Sequence, residues 1–568
     1  MEHKERMKSM FKLNRRIAML LALLLAASVL AGCGQAGEKV EETPPVQTET
    51  GAPTPLPTVE PPQGAEAGTL LPLAEETVPL SMWYIITQEE TSVIDTPADS
   101  LNIQELCKRT NVELSFITAA SDVAVEKLML LVSGGEYTDL IANISTAYKG
   151  GADVAITDGI IVELSDVIAE YMPNYDALRR SNDEYYYNTI SDSGNIGMIY
   201  TMTAENYPVT LGPVIRQDWL DALKFDAPVT YDDYYNVLTA FNSEYGATLW
   251  LPSACIPDGN YLAAGYGIAA YIGQNASQQS FYQKDGEVHW GPAEDEALEF
   301  LTMMNKWYSE GLIYKDFFTV TAPFLIDTAP VLNGEVGLWY SVTGLLGPHA
   351  KMGEDLDPDF NVMPIQDAVM NEGDVNHLRI SNALVEGNGV SISTQCENVD
   401  IAARLLDYLY SDEGMLLSNY GIEGTTFEYD DDGKPCLTEL MVKNPDGLNM
   451  NQTSALYCNN LHLGYVDWSK SITGYTDAQM ATIDVWLASD NDYGYPSGVT
   501  LTDEESEKLS QLYSDIQLYA QTTMVEFIVG EKPLDEFDEY VEQLISMGIE
   551  ECISIKQSGL DRYNARVS

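Results

Sequence analysis

Three features of residues 78–142 predict an α/β fold built on a parallel sheet. Val78–Ile86 (VPLSMWYII) is dense in β-branched and aromatic side chains and reads as a buried strand. Val112, Leu114 and Phe116 alternate as in a second strand, and Leu140-Ile141 forms a short third one. Between these strands lie two helical stretches. One carries Leu101, Glu105 and Lys108; the other runs Val123–Val132 and breaks at Ser133-Gly134-Gly135. Strands alternating with helices join through right-handed crossovers and so lie parallel. Ligands of such sheets sit beyond the carboxyl ends of the strands, which directs attention to Trp83-Tyr84 and to Asp139–Asn143.

From about residue 160 the pattern is mostly helical, with short strands between. The stretch 294–309 opens with Glu294, Asp295 and Glu296, acids suited to the positive end of a helix dipole, and then places Leu298, Leu301, Met304 and Tyr308 on one side. Ile401, Leu405, Tyr408 and Leu409 repeat that spacing. Leu509, Leu512, Ile516 and Tyr519 do so again after a capping start at Thr502–Glu505. These stripes read as core faces. No internal repeat of solenoid length is present.

The chain of 568 residues carries 87 Asp+Glu against 29 Lys+Arg, a formal charge of −58, which excludes a protein built to grip nucleic acid. Its 45% hydrophobic and 10% aromatic content also excludes a disordered acidic tail. Six basic residues fall in 1–32, ahead of the apolar run Ile17–Leu30. That run is too short to span a bilayer and reads as a signal-peptide core. It ends in Leu30-Ala31-Gly32-Cys33, similar to a bacterial lipobox, which implies cleavage before Cys33 and lipidation of that residue. Residues 34–68 hold seven prolines and six glutamates and read as a flexible tether. The expected location is the outer face of a cell membrane, reached by lipid. The cleaved chain carries −62, more acidic than its precursor. The other cysteines, Cys107, Cys255, Cys396, Cys436, Cys458 and Cys552, form no CxxC and read as small buried thiols, although disulfides are open to them.

Motifs of catalysis are sparse. His289, His349, His377 and His462 include no HExxH, and neither a GxSxG elbow nor a phosphate-binding GxxxxGK[ST] loop occurs. Gly265–Ala270 fits a dinucleotide fingerprint only loosely, because it follows the turn Asp258-Gly259-Asn260 and the acid at Asp285 belongs to another turn. Asp430-Asp431-Asp432-Gly433 lacks EF-hand spacing and reads as a solvated hairpin turn. Carboxylate pairs carry no signal in a chain this acidic. Aromatics say more: 34 tyrosines and 8 tryptophans supply flat faces for sugar rings, which suggests carbohydrate. Trp219 and Trp307 fall in helical stripes and read as core, whereas Trp83 and Trp339 end or occupy strands and are the candidate stacking platforms.

Several stretches resemble the family 1 extracellular solute-binding lipoproteins of Gram-positive bacteria, the large type that feeds oligosaccharide ABC importers. They are Ser133–Ile141 (SGGEYTDLI), Ile215–Leu220 (IRQDWL) with Pro228–Asp233 (PVTYDD), Tyr282–Val288 (YQKDGEV) and Trp307–Phe317 (WYSEGLIYKDF). Ala402–Gly414 (AARLLDYLYSDEG), Asn419–Gly424 (NYGIEG), Phe527–Leu534 (FIVGEKPL) and Asp561-Arg562-Tyr563 complete the order. One block departs. Many relatives carry a calcium loop where this chain has Asn242–Gly246, so no metal is expected there, and no cofactor elsewhere.

The resemblance implies an α/β, two-lobe periplasmic-binding-protein-like (type II) fold with a ligand cleft between the lobes and extra C-terminal helices. The expected division is 1–32 signal peptide, 33–71 lipidated cysteine and tether, 72–202 plus 386–425 lobe one, and 203–385 plus 426–568 lobe two with the C-terminal helices. The implied role is a non-enzymatic, monomeric receptor that passes a carbohydrate to the transmembrane subunits of an ABC permease. Expected ligand contacts are Trp83 and Trp339 for stacking, Asp139, Asn143 and Glu423 for hydroxyls, and Tyr200 and Tyr420 near the crossings. Two other readings stay open at this point: a surface polysaccharide hydrolase, and a sensing subunit for a membrane signalling partner.

Overall fold

The computed structural model describes residues 71–567 except 149, 205–210, 251–260, 271–279, 320–328, 379–383 and 473–474. Cys33, the signal segment, the tether and Cys255 lie outside the described residues. The strands are, in chain order, β1 (Val78–Ile86), β2 (Val112–Ala120), β3 (Leu140–Ala142), β4 (Ile199–Thr203), β5 (Leu211–Arg216), β6 (Thr248–Trp250) and β7 (Phe281–Lys284). They continue with β8 (Glu287–Trp290), β9 (Val336–Val342), β10 (Val362–Pro364), β11 (Val385–Ile392), β12 (Phe427–Tyr429), β13 (Pro435–Leu437) and β14 (Tyr465–Val466).

The first sheet has the order β14-β4-β11-β3-β1-β2. β1 runs parallel to β2 from Val78↔Val112 to Ile86↔Ala120, and parallel to β3 at Met82↔Leu140 and Trp83↔Ile141. Its apolar composition, interrupted only by Ser81, has a simple cause: both faces are covered. Leu80, Met82 and Tyr84 enter one core with Ile103, Leu106 and Leu405, while Trp83 enters another with Leu128, Ile141 and Ile144. The two crossover helices, Leu101–Thr110 and Ala124–Gly134, each stop at a left-handed residue, Asn111 (φ 58°) and Gly135 (φ 71°).

A second sheet has the order β10-β5-β9-β6, with β5 antiparallel to β9 and β10 and β6 parallel to β9. Helix Tyr231–Tyr245, started by a Thr230–Asp233 capping box, and helix Asp295–Ser309 pack on it. The buried face of the latter is Ala297, Phe300, Leu301, Met304 and Trp307, so the predicted stripe is rotated slightly and Leu298 and Tyr308 sit at its margin. Helix Asp503–Val529 adds Leu509, Tyr513, Ile516, Ala520, Met524, Phe527 and Ile528 to the same core.

The chain passes between the sheets three times, after β4, before β11 and after β14. The last crossing corrects the expected division at one point. Residues 426–466 fall in the expected lobe two, yet Tyr465-Val466 pairs in parallel with Met202-Thr203, and Ala455, Leu461 and Leu463 fill the first core. Asp430–Gly433 is the expected hairpin turn: Asp430 Oδ1 accepts from the backbone N–H groups of Asp432 and Lys434, and Gly433 takes φ 77°. Cys107, Cys396, Cys436, Cys458 and Cys552 are free thiols. Among the described residues no helix is long and apolar enough to cross a membrane.

Candidate functional site

The two tryptophans chosen as stacking platforms are core residues. Trp83 is 1% exposed and packs with Ala124, Leu128, Ile141 and Met198; Trp339 is 0% exposed among Val214, Trp250, Leu346 and Trp486. Each belongs to a strand buried on both faces, so no face is left for a sugar. Asp139 lies at the amino end of β3, away from the ligand edge, where it accepts from Ser81 N (2.7 Å) and Ser81 Oγ (2.6 Å) and locks β1 to the preceding loop.

Asn143 does stand at the carboxyl end of β3, in the left-handed region at φ 58°. Its N–H donates to Gly389 O (2.8 Å) and its Oδ1 accepts from Gly389 N (3.0 Å), a staple between β3 and β11. A Cβ at Gly389 would lie 2.5 Å from Ile199 O, so glycine is required at that junction. Tyr200 sits on β4 between the two cores of the first sheet, and burial, with Asp153 nearby, pushes its phenol up to about 12. Tyr420 is 3% exposed and donates to Asp467 Oδ2 (2.8 Å) beside the third crossing. Glu423 is exposed on the turn before β12.

A different set of residues lines an open cavity of about 700 Å³. One wall comes from the first lobe: Met129 on helix Ala124–Gly134, then Tyr148, Gly150, Val154 and Asp158 from the connection that follows β3. The other comes from Ser506, Glu507, Ser510 and Gln511 in the first turns of helix Asp503–Val529. Those four positions lie on the side of the helix next to the one that carries Leu509, Tyr513 and Ile516 into the second core. Each wall is therefore backed by a different hydrophobic core.

The first wall is held by short local bonds. Tyr148 donates to Asp158 Oδ2 at 2.7 Å, and burial followed by this bond raises its phenol to about 12. Gly150 has φ 89°, and a Cβ there would meet Val154 Cγ2 at 2.5 Å. The second wall begins at a Thr502–Glu505 capping box. Arg562 ties Glu505 to the first lobe, donating through Nη1 to Glu505 Oε1 (2.9 Å) and through Nε to Asp192 Oδ2 (2.9 Å). Arg566 donates to the other oxygen of Asp192 at 3.0 Å.

Chemically the cavity offers a tyrosine ring, two serine hydroxyls, an amide and two carboxylates, a set suited to many hydroxyls. Among the described lining residues there is no histidine or cysteine to form a nucleophile–base pair. Elsewhere, atoms of His377, Asp490 and Asp492 lie within 4.8 Å of one another, but His377 Nδ1 and Asp492 N both already bond Asp490 Oδ1, at 2.8 and 3.1 Å. Asn242–Gly246 forms the end of helix Tyr231–Tyr245, with Asn242 Nδ2 donating to Ala247 O and Gly311 O.

None of the seven predicted residues lines this cavity. Tyr148 and Asp158 follow Asn143 closely, so the predicted region was adjacent; Ser506–Gln511 carried no signal beyond a polar helix face.

Comparison with known proteins places the chain. The fructooligosaccharide ABC transporter substrate-binding protein FusA of Streptococcus pneumoniae is 23% identical, over 98% of this chain and 99% of its own. Lipoprotein LipO of Bacillus subtilis is 23% identical over 79% of this chain and 86% of its own. The solved HMO-binding, ABC-transporter-associated solute-binding protein of Bifidobacterium longum infantis superposes with a TM-score of 0.71 at 20% identity, covering 86% of this chain and 99% of that one, and so shares its two-lobe fold. Residues 103–421, more than half of the chain, match the model of the bacterial extracellular solute-binding protein, and the chain belongs to that family.

Proposed function

We propose that this protein is the lipid-anchored receptor of an ABC importer, that it captures an oligosaccharide between its lobes without chemically altering it, and that it hands the sugar to membrane permease subunits. One observation carries the reading: the 700 Å³ cavity takes one wall from each lobe, so a single ligand there touches both. A ligand bridging two bodies favours the closed arrangement by the contacts it makes only there. The hydroxyl-rich lining and the sugar named for FusA support carbohydrate as the solute. Cys33 after a small-residue stretch, and the proline-rich spacer behind it, support anchoring by lipid.

Purified protein lacking residues 1–33 is titrated with a panel of tri- to hexasaccharides by calorimetry and thermal shift. Saturable binding of at least one glycan with a raised Tm, and no release of reducing ends, is the expected outcome. Absence of binding across the panel, or release of reducing ends, overturns it. Replacing Cys33 with alanine in the full chain releases the protein from the membrane fraction if the anchor is lipid.

A further inference from the structure

The two walls of the cavity are joined by a continuous chain of polar contacts that crosses from one lobe to the other. On the first wall, Asp153 of helix Gly151–Thr157 accepts through Oδ1 from Ser191 Oγ (2.9 Å) and Asn195 Nδ2 (3.0 Å). The same short segment holds Asp192, whose two carboxylate oxygens take Arg562 Nε (2.9 Å) and Arg566 Nη1 (3.0 Å). Both arginines belong to helix Ile549–Val567, which enters the second core through Ile549, Cys552 and Leu560. Arg562 then reaches Glu505, in the capping box of the helix that forms the second wall. Further bonds run alongside, from Asp192 N to Thr500 Oγ1 (3.1 Å), from Arg566 Nη1 to Ile190 O (2.9 Å) and from Tyr563 OH to Asn188 Oδ1 (3.3 Å). The side chains of Asp192 and Arg566 are only 16% and 15% exposed, so solvent screens their ion pair incompletely.

We infer that Asp192, Arg562 and Arg566 form an interlobe clasp that sets the spacing of the two cavity walls and holds the free receptor ready for its solute. None of the three lines the cavity, so they are positioning residues, and their role in capture rests on the reading of that cavity as the solute site. When lobes swing freely, only the fraction of molecules with both walls in place can bind, and the apparent affinity drops by that fraction. The clasp raises the fraction through charge-assisted bonds, so its strength declines as salt rises. A neutral glycan has no charge of its own to screen. Any salt dependence of its affinity that disappears with the Asp192 carboxylate therefore belongs to the clasp.

The test compares Asp192→Asn, Arg566→Gln and the double variant with the parent. Small-angle scattering is recorded with and without a saturating neutral glycan, and calorimetry in low salt and at about 0.5 M NaCl. The ligand-free variants should have a larger radius of gyration than the parent and contract to its value when saturated, a reversal that structural damage would not show. In low salt their affinity should fall about three- to tenfold, and the loss should shrink in high salt. The double variant should bind no worse than the weaker single one, because all three break the same pair. Either single variant decides the matter if the other does not fold. An unchanged radius or an unchanged affinity in a folded variant, or a loss that is equal at both salt concentrations, overturns the clasp while leaving glycan capture intact. If the parent binds no glycan, the carbohydrate reading falls, and the ligand-free radii alone then decide whether the clasp sets the lobe spacing.

Discussion

The phenol of Tyr148 donates a 2.7 Å hydrogen bond to Asp158 Oδ2, closing the loop that forms the first-lobe wall of the cavity. Both side chains are within reach of a solute, so the bond orients groups for binding more than it stabilises the fold. Tyr148→Phe is expected to weaken glycan binding several-fold. Its effect on stability should be about 1 kcal/mol or less, as for an exposed hydrogen bond. Calorimetry and urea unfolding on the same sample separate the two; a large loss of stability with unchanged affinity would reverse the assignment.

Arg562 and Arg566 converge on Asp192, and Arg562 also grips Glu505, the capping residue of the helix that supplies the second wall. Arg562→Ala should cost about 1–3 kcal/mol, since charge-assisted bonds are lost and two carboxylates are left facing one another. Arg562→Lys should recover only part of this, because an ammonium cannot reproduce the fork. Denaturant midpoints of the two variants decide the matter.

Asp407 makes stability depend on pH in an unusual direction. Burial raises its pKa to about 6, only partly offset by donation from Tyr175 N (2.9 Å) and Asn174 Nδ2 (2.7 Å). The folded state binds this proton more tightly than the unfolded chain, whose value is near 3.8. Its contribution is therefore most favourable below pH 4 and is lost as pH rises through 6, on the order of 3 kcal/mol. Subtracting the Tm profile of Asp407→Asn from that of the parent should expose this slope between pH 4 and 7. Parallel profiles would contradict it.

Trp83 supplies a test of core against platform. Trp83→Ala should destabilise the first lobe by about 3–5 kcal/mol. The folded fraction should keep its glycan affinity, because the indole is 1% exposed. A loss of affinity without loss of stability would restore the stacking role.

The legible parts of the fold were those where one local pattern has one meaning. Val78–Ile86 cannot satisfy its side chains except in a doubly covered strand, and Gly135 ends its helix because it adopts φ 71°. By contrast, Gly337-Leu338-Trp339-Tyr340 looks the same whether its indole meets a sugar or Trp486, and the structure chose the latter. Tyr465-Val466 is too short to announce itself as a strand, and its pairing with β4 is a tertiary event. The cavity was hardest to see. Ser506, Glu507, Ser510 and Gln511 resemble any solvated helix face in a chain with 87 acids, and only the long-range approach of Tyr148 and Asp158 turns that face into a wall.

Capture between two lobes is tested most directly by filling the cavity from each side in turn. Calorimetric titration of one bound glycan into Val154→Trp, on the first wall, and into Ser510→Trp, on the second, is the measurement. Both variants should fold, and both should lose at least about tenfold in affinity, since each indole occupies the space shared by the walls. Full affinity in either variant would contradict a solute held between the lobes at this cavity.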